Sequence, residues 1–259
     1  MNALLIGCGK MGGALLEQWA KSPDWTFTVV DPFTQTVPDG VHLFKDRESL
    51  PESQFDLIIV AVKPQMIDEI IPAYQDRLAP SGLVASIAAG CSVARLSAVS
   101  GTSTVIRIMP NLPALIAQSV SGLYASPECS ADQKGALEAL MQRAGTTVWV
   151  DDEDALDRVT AVAGSGPGYV FEIARTYIAA AEELGFTTSQ ARELVLGTMA
   201  GAVEMARQSD ESVESLRNSV TSKNGTTQAG LEALNADGTL TELLRRTTRA
   251  AYDRAVELR

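Results

Sequence analysis

The feature that most constrains the fold is a glycine-rich turn within the first dozen residues. Ala3-Leu4-Leu5-Ile6 is a short apolar run that ends at a glycine, which predicts a buried strand. Gly7-Cys8-Gly9-Lys10-Met11-Gly12 follows with the spacing G-x-G-x-x-G, and a helical pattern runs from Met11 to Ala20. A strand, such a turn and a helix in this order are typical of a nucleotide-binding βαβ unit.

Each position of the turn has a physical role in that interpretation. Gly7 permits the tight turn, Gly9 lets a pyrophosphate approach the backbone, and Gly12 lets the helix pack close to the sheet. The first turn of the helix, with Lys10 and Met11, offers free N–H groups and a positive dipole end to phosphates. We therefore expect all five residues to bind a dinucleotide, although a plain strand-to-helix turn is the alternative.

Asp31 follows the next strand candidate, Thr26–Val30. A carboxylate at that point accepts hydrogen bonds from the adenosine ribose and repels a 2′-phosphate. No Lys or Arg occurs between Lys21 and Lys45 to neutralise such a phosphate. The sequence therefore predicts NAD or NADP as cofactor and favours NAD. The alternative is that Asp31 only begins a turn before Pro32.

Strand candidates alternate with helical patterns as far as residue 150, which implies parallel pairing with right-handed crossovers. Beyond Asp151–Asp154 only Ala-rich helical patterns occur. We predict an α/β Rossmann domain with a doubly wound, mostly parallel sheet over residues 1–152, and an all-α dimerisation domain over residues 153–259. A helical pattern from Met66 to Leu78 should split at Pro72. Ser165-Gly166-Pro167 interrupts the first long helical pattern, where the proline could free backbone groups that shape a site or could be a simple packing kink. The other strand candidates are Leu57–Val62, Leu83–Ile87, Thr104–Met109 and Thr146–Val150, and the long helical patterns are Ala155–Leu184, Ser189–Gln208 and Thr239–Leu258, with Gly185 closing the first and Ser189 opening the second.

Composition excludes several classes of protein. The net charge of −11 makes the chain a poor ligand for nucleic acids and anionic membranes. Cys8, Cys91 and Cys129 lack the paired spacing of a disulfide framework or a zinc site, so we expect no metal and a reducing compartment. No apolar run reaches the roughly 18 residues of a membrane span, and the first residues lack the basic segment of a signal peptide. We therefore expect a cytoplasmic enzyme. The helical domain is small for a core of its own, which predicts a homodimer or larger assembly.

Five strings in order resemble the pyrroline-5-carboxylate reductase family, and together they span nearly the whole chain. Any one string is only suggestive, whereas five in order after the glycine turn are highly specific. The strings are Ala61-Val62-Lys63-Pro64-Gln65, Ser86-Ile87-Ala88-Ala89-Gly90, Arg107-Ile108-Met109-Pro110-Asn111-Leu112-Pro113, Ala163-Gly164-Ser165-Gly166-Pro167-Gly168-Tyr169 and Val220-Thr221-Ser222-Lys223-Asn224-Gly225-Thr226-Thr227.

The resemblance implies a function and a cofactor site. The family reduces 1-pyrroline-5-carboxylate to L-proline with NADH or NADPH, the last step of proline biosynthesis. It joins a Rossmann domain to a helical domain that interleaves with a partner subunit. The resemblance also implies that the strings at residues 61–64 and 109–111 flank the nicotinamide half of the cofactor. It implies that the small residues Ala88 and Ala89 let the cofactor lie against the end of a strand. The implied residues are Ala61, Val62, Lys63, Pro64, Ala88, Ala89, Met109, Pro110 and Asn111.

The last string resembles the segment that holds the substrate's carboxylate and ring nitrogen. The backbone N–H groups of its glycine turn could bind the carboxylate, and Thr227 is the residue we expect to contact the ring nitrogen. A capping role for Thr226 or Thr227 is the alternative. Asn224 stands where the family usually has a glycine, a change that Asn tolerates best. The implied substrate residues are Val220, Ser222, Gly225, Thr226, Thr227 and Pro167, with Thr227 catalytic.

The implied substrate has a protonated imine nitrogen, so its imine carbon is already electrophilic and positioning can supply most of the rate. This agrees with a chain whose single histidine, His42, is expected at the surface. Lys63 is expected to present its backbone or its charge to the cofactor rather than act as an acid. Two alternatives remain. A 3-hydroxyacid dehydrogenase would need a lysine on a helix of the second domain, where only Lys223 occurs, in a loop. A non-catalytic nucleotide sensor would need no substrate loop.

Overall fold

A mostly parallel sheet forms the centre of the first part of the molecule. The computed structural model describes the whole chain, residues 1–259. The sheet has eight strands in the order β3-β2-β1-β4-β5-β6-β7-β8, and only the β6–β7 pair is antiparallel. The strands are β1 (Asn2–Ile6), β2 (Thr26–Val30), β3 (His42–Phe44), β4 (Phe55–Val60), β5 (Leu78–Ser86), β6 (Val105–Met109), β7 (Ser119–Ala125) and β8 (Gly145–Trp149).

The central strands are apolar because both of their faces are covered. Leu4 and Ile6 belong to an apolar cluster with Ile58 and Val60 on one face of the sheet. Leu5, the residue between them, packs with α1 (Lys10–Trp19) in a second cluster on the other face. Continuous apolar runs are the expected pattern for parallel strands that are buried on both sides.

The strand order reverses at β1, which lies between β2 and β4. Ligands of open α/β sheets bind outside the carboxyl ends of the strands at such a reversal. The segments that follow β1, β2 and β4 meet at this edge, and they carry the glycine turn, Asp31 and Ala61–Pro64.

Ten helices accompany the strands. Pro72 lies inside a 3₁₀ segment, Ile71–Arg77, that directly follows α2, so the predicted split at this proline is confirmed. The helices after α1 are α2 (Ile67–Ile70), α3 (Val93–Ser100), α4 (Ala131–Met141), α5 (Glu153–Val159), α6 (Gly166–Glu183), α7 (Thr188–Gln208), α8 (Val213–Ser219), α9 (Thr226–Leu234) and α10 (Thr239–Glu257). None of them combines the length and apolar character that a membrane crossing requires.

The predicted interruption of the helical pattern Ala155–Leu184 at Ser165-Gly166-Pro167 is confirmed, whereas its predicted start at Ala155 is wrong, because α5 begins at Glu153 with Asp152 as its N-cap. A π-helical turn, Thr160–Gly164, separates α5 from α6, and Ser165 N–H donates to Thr160 O across five residues at 2.9 Å. Pro167 cannot donate a backbone hydrogen bond, so regular α-helical bonding cannot pass through this point. The π turn accommodates this interruption by taking one more residue into a single helical turn.

The predicted opening of α7 at Ser189 is also wrong. Thr187 is the N-cap, and it forms a capping box in which its hydroxyl accepts from Gln190 N–H and the Gln190 side chain accepts from Thr187 N–H. The threonine at the cap satisfies an N–H group that the helix itself leaves free. Gly185 does close α6, since its φ of +99° lies in the left-handed region.

By internal packing the chain comprises two compact units. One contains residues 1–167 together with residues 250–259, and the other contains residues 168–249. The second unit has a small buried core of Ala181, Ala191 and Val195. Large apolar side chains are exposed on its helices, including Phe171 at 61% and Val203 at 60%. The division into domains of residues 1–152 and 153–259 stays a prediction, because packing within a single copy does not test it.

Candidate active site

The glycine turn has the geometry that close approach of a phosphate requires. Gly7 has a φ of +90°, and a Cβ there would lie 2.9 Å from Ala61 O. A Cβ on Gly12 would lie 2.9 Å from Gly7 O, whereas a Cβ on Gly9 would meet nothing within 4 Å. Gly9 is the N-cap of α1 and no side chain caps that helix. The free N–H groups of α1 therefore face open space beside a residue without a side chain, which suits a pyrophosphate.

Asp31 is tied to this turn by a network of hydrogen bonds. Its Oδ2 accepts from Cys8 N–H at 2.7 Å, and its Oδ1 accepts from the N–H groups of Phe33 and Thr34 at 2.8 Å each. Thr34 Oγ1 donates to Cys8 O at 3.0 Å, so both backbone groups of Cys8 are held. The carboxylate thus joins the loop after β2 to the glycine turn.

The charge of Asp31 is stabilised by the same donors. Burial raises the pKa of the Asp31 carboxyl, since the residue is only 8% exposed, but the backbone N–H donors together outweigh burial and the pKa lies below its usual value. Hydrogen bonds to the charged form of a carboxylate have this effect. Asp31 is therefore a fixed negative charge at neutral pH.

A cavity of about 460 Å³ lies at this edge of the sheet. It combines the glycine turn, Asp31 and the segment after β4, so the structure brings these predicted residues together. Lys45 and Asp46, which follow β3, also line it, and Lys45 donates to Thr34 O. The residues that line the cavity are Ile6, Gly7, Gly9, Val30, Asp31, Pro32, Phe33, Lys45, Asp46, Ala61, Val62, Lys63, Met66, Ile70 and Tyr74.

Sequence reasoning missed Lys45 as a residue of this cavity. The strand that precedes it, β3, has only three residues and was not predicted. His42 is exposed at the start of the same strand, as expected for a surface residue. The short alternation His42-Leu43-Phe44 was the only signal available, and it is too brief to separate a strand from a loop.

The turn after β5, residues 87–92, is named here the alanine turn. Ser86 Oγ accepts from Ala88 N–H at 3.2 Å, and Ile87 N–H donates to Val60 O at 3.0 Å. Ala88 is buried, Ala89 is exposed, and Gly90 has a φ of +69°. The small side chains leave the end of β5 open at Ala89.

Asn111 and Met109 connect the end of β6 to the π-helical turn. The Asn111 side-chain oxygen accepts from Val120 N–H at 2.9 Å and its amide donates to Ala163 O at 3.0 Å. A Cβ on Gly164 would lie 2.6 Å from Met109 Cε. Both ends of the Asn111 amide are therefore occupied within the chain, which gives this residue a structural role beside any contact with a cofactor.

The predicted substrate loop lies in the second unit and leads into α9. Asn224 has a φ of +58°, and its N–H donates to Gln228 Oε1 at 2.8 Å. Gly225 is the N-cap of α9 and no side chain caps the helix, so the capping role considered for Thr226 and Thr227 is wrong. A Cβ on Gly225 would lie 2.2 Å from Ser222 Oγ. The exposed Thr226 and Thr227 therefore follow a tight turn with uncapped N–H groups.

The remaining predicted residues occupy neighbouring elements. Lys10, Met11 and Gly12 form the first turn of α1. Pro64 opens a 3₁₀ turn, Pro64–Met66, for which Lys63 is the N-cap. Pro110 follows β6, Val220 precedes α9, and Pro167 lies in the first turn of α6.

Comparison with known proteins shows consistent similarity to one family. The family model for pyrroline-5-carboxylate reductase dimerisation matches residues 153–258. Pyrroline-5-carboxylate reductase of Pseudomonas aeruginosa is 41% identical over 204 residues, which is 78% of this chain and 74% of that protein. Pyrroline-5-carboxylate reductase 2 of Bacillus subtilis is 37% identical over 242 residues, 88% of this chain and 85% of that protein.

A solved structure extends the similarity to the fold. The structure of a pyrroline-5-carboxylate reductase from Coxiella burnetii covers 99% of this chain and 98% of its own, with a TM-score of 0.89 and 32% identity. The predicted fold class is thereby confirmed, and so is the resemblance identified from the five strings. This chain belongs to the pyrroline-5-carboxylate reductase family.

Proposed function

We propose that this protein reduces 1-pyrroline-5-carboxylate to L-proline with NADH or NADPH, the last step of proline biosynthesis. The observation that carries the proposal is the uncapped glycine turn, which opens into a cavity of about 460 Å³ at the strand reversal in a chain of this family. When bound, the reduced nicotinamide supplies the hydride. The protein contributes binding, orientation and charge.

The dinucleotide is held along the edge where the segments after β1, β2, β4, β5 and β6 meet. The free N–H groups of the first turn of α1, beside Gly9, bind the pyrophosphate, and Asp31 faces the adenosine ribose. The small residues of the alanine turn and the segments after β4 and β6 flank the nicotinamide. The proposed cofactor residues are Gly7, Gly9, Lys10, Met11, Gly12, Asp31, Ala61, Val62, Lys63, Pro64, Ala88, Ala89, Met109, Pro110 and Asn111.

The substrate is held by the loop before α9. The Gly225 N–H donates to Ser222 O at 3.0 Å, so the uncapped N–H groups that suit a carboxylate are those of Thr226 and Thr227, and Thr227 Oγ contacts the ring nitrogen. Ser222 packs against Gly225 and shapes the turn. Val220 and Pro167 complete the proposed substrate residues. Because the imine nitrogen already carries its proton, hydride addition to the carbon gives the amine without a general acid, and Lys63 acts through its charge or its backbone.

NADH is the proposed preferred cofactor. Asp31 cannot turn away from a 2′-phosphate, because three backbone N–H groups fix its carboxylate. Lys45 lines the same cavity, but its ammonium donates to Thr34 O, and the cavity is also lined by the acidic Asp46. The negative charges at this end of the cavity therefore favour a free ribose over a phosphorylated one.

The active form is proposed to be a homodimer or larger assembly that works in the cytoplasm. The family model that matches residues 153–258 is one of dimerisation. The small core and exposed apolar side chains of the second unit agree with burial against another copy. The three cysteines are unpaired, which agrees with a reducing compartment.

One assay tests the function and the cofactor preference together. The purified protein is mixed with 1-pyrroline-5-carboxylate and either NADH or NADPH, and the absorbance of the reduced cofactor is followed. We expect oxidation of both cofactors, with a higher kcat/KM for NADH, and formation of proline. A reaction without the pyrroline is the control. Absence of oxidation with either cofactor contradicts the function, whereas a preference for NADPH contradicts only the role given to Asp31.

A further inference from the structure

A cluster of charged side chains outside the dinucleotide cavity joins the end of α10 to α5. Arg259 forms an ion pair with Asp157, and its guanidinium lies 3.6 Å from Asp154 Oδ1. The hydroxyl of Tyr252, in α10, donates a hydrogen bond to the same Asp154 oxygen at 2.6 Å. Two points of α5, one helical turn apart, therefore hold the segment that contains Tyr252 and Arg259.

The Asp157 carboxylate depends on this partner. The residue is 2% exposed. Burial raises the pKa of the Asp157 carboxyl, and the charges of Arg259 and Arg107 oppose that rise. Removing one partner of a buried ion pair leaves an uncompensated charge and is strongly destabilising locally. Arg259 is thus anchored at a defined place rather than free at the surface.

Helix α5 is in turn fixed to the sheet and to the alanine turn. Glu153 Oε1 accepts from Arg107 Nη1 of β6 at 2.6 Å and from Val93 N–H at 2.9 Å. Arg107 is only 4% exposed. Val93 opens α3 directly after the alanine turn. One end of the alanine turn is therefore tied to the same helix that holds Arg259.

The other side of the alanine turn is covered by Leu258. A Cβ on Gly90 would lie 2.3 Å from Leu258 O and 2.9 Å from Leu258 C. Gly90 also needs its positive φ of +69°, so no other residue fits there without strain. Leu258, next to Arg259 in sequence, consequently lies in backbone contact with the turn that carries Ala88 and Ala89.

We propose that the Arg259–Asp157 ion pair positions the alanine turn for the nicotinamide end of the cofactor. The proposal rests on the proposed function, in which Ala88 and Ala89 flank the nicotinamide. Arg259 holds Leu258 over Gly90, and Glu153 holds Val93, so the turn is confined from two sides. Neither member of the pair touches a reacting atom, so both are positioning residues whose loss misplaces the hydride donor.

Kinetics of single and paired substitutions test the proposal. Arg259→Ala is expected to lower kcat/KM for the reduced cofactor by about tenfold, since a small misplacement of reactants has effects of that size or larger. Arg259→Lys should restore most of the loss. Asp157→Asn should resemble Arg259→Ala, and the double variant should be no worse than either, because both act through one contact. Arg158→Ala, which removes an exposed partner of Asp154 on the same helix, is the matched control and should match the wild type.

Hydrogen exchange supplies a readout that does not depend on turnover. Residues 88–91 are expected to exchange faster in Arg259→Ala, while the amides of β1 and β4 keep wild-type protection. Wild-type kinetics and wild-type exchange in Arg259→Ala would overturn the proposal, and so would a loss of protection spread evenly over the sheet. A wild-type protein without reductase activity would contradict the proposed function, whereas the exchange comparison would still decide the role of the ion pair.

Discussion

At the scale of the single residue, Asp31 has two roles, of which its position in the sequence indicated only one. The strand-end position predicted a contact with a ribose, and the structure adds three hydrogen bonds, one from Cys8 of the glycine turn and two from the loop after β2. Substitution of Asp31 therefore changes loop order as well as cofactor choice. Lys45 could not be assigned to this cavity from the sequence. It lies far from Asp31 in sequence and reaches the same cavity only because it follows β3, a strand that was not predicted.

Asp31→Asn is expected to destabilise the protein at pH 7 by about 1–3 kcal/mol, because an amide cannot accept at both ends and hydrogen bonds to charged groups are strong. The pKa of the Asp31 carboxyl is lowered on folding, so its contribution is complete above the unfolded value of about 3.9 and is lost as the pH falls through the folded value. Urea unfolding from pH 7 downward measures this. The gap between wild type and variant should close only below about pH 4. Asp39→Asn, at an exposed loop position, is the control and should show no gap.

Thr227 and Lys63 are expected to respond differently to truncation. Thr227→Ala should lower kcat/KM for the pyrroline by about 10- to 100-fold, as loss of an orienting hydrogen bond to a charged group does. Lys63→Ala should retain substantial turnover, because the electrophilic imine needs no acid. Steady-state kinetics with the pyrroline varied distinguish the two. An intact kcat/KM in Thr227→Ala would refute the substrate-loop assignment, and an inactive Lys63→Ala would refute a mechanism based on positioning.

At the scale of the element, strong apolar runs were predictable and weak or interrupted patterns were not. The run Thr26–Val30 matches β2 residue for residue, since a strand buried on both faces leaves a continuous signal. β7 was missed because Ser119-Val120-Ser121-Gly122 mixes small polar residues into the strand, where Ser119 and Ser121 bond to each other. The interruption at Ser165-Gly166-Pro167 was predictable from its proline, whereas the π-helical form of the preceding turn was not, because nothing in a helical pattern reveals one extra residue.

The capping box of α7 gives a prediction at this scale. Thr187→Ala should lower the free energy of unfolding by about 1 kcal/mol, the usual cost of losing an N-cap side chain. Ser189→Ala, two residues further on and exposed, should change it little. Urea unfolding at one fixed protein concentration measures both, because assembly makes apparent stability depend on concentration. Equal effects of the two substitutions would contradict the cap assignment.

At the scale of the whole molecule, the exposed apolar side chains of the second unit predict assembly. Sedimentation of the purified protein should give a dimer or larger species at micromolar concentration, and its melting temperature should rise with concentration. Phe171→Glu, at a side chain that is 61% exposed in one copy, should increase the monomer fraction. Gln142→Glu makes the same charge change at an exposed position of the first unit and should not. A wild-type monomer would refute the predicted assembly.

The π-helical turn between α5 and α6 has a consequence for how length changes are tolerated. Each residue of an α-helix advances the chain by about 100° around the axis. The π turn at Thr160–Gly164 takes one more residue into a single turn, as the Ser165 N–H bond to Thr160 O shows. Deleting one residue from this turn would therefore only tighten it toward α-helical bonding. The same deletion in the middle of α6 would rotate the two parts of that helix against each other by about 100°, so a shortened chain should be far better tolerated at the π turn than inside the helix.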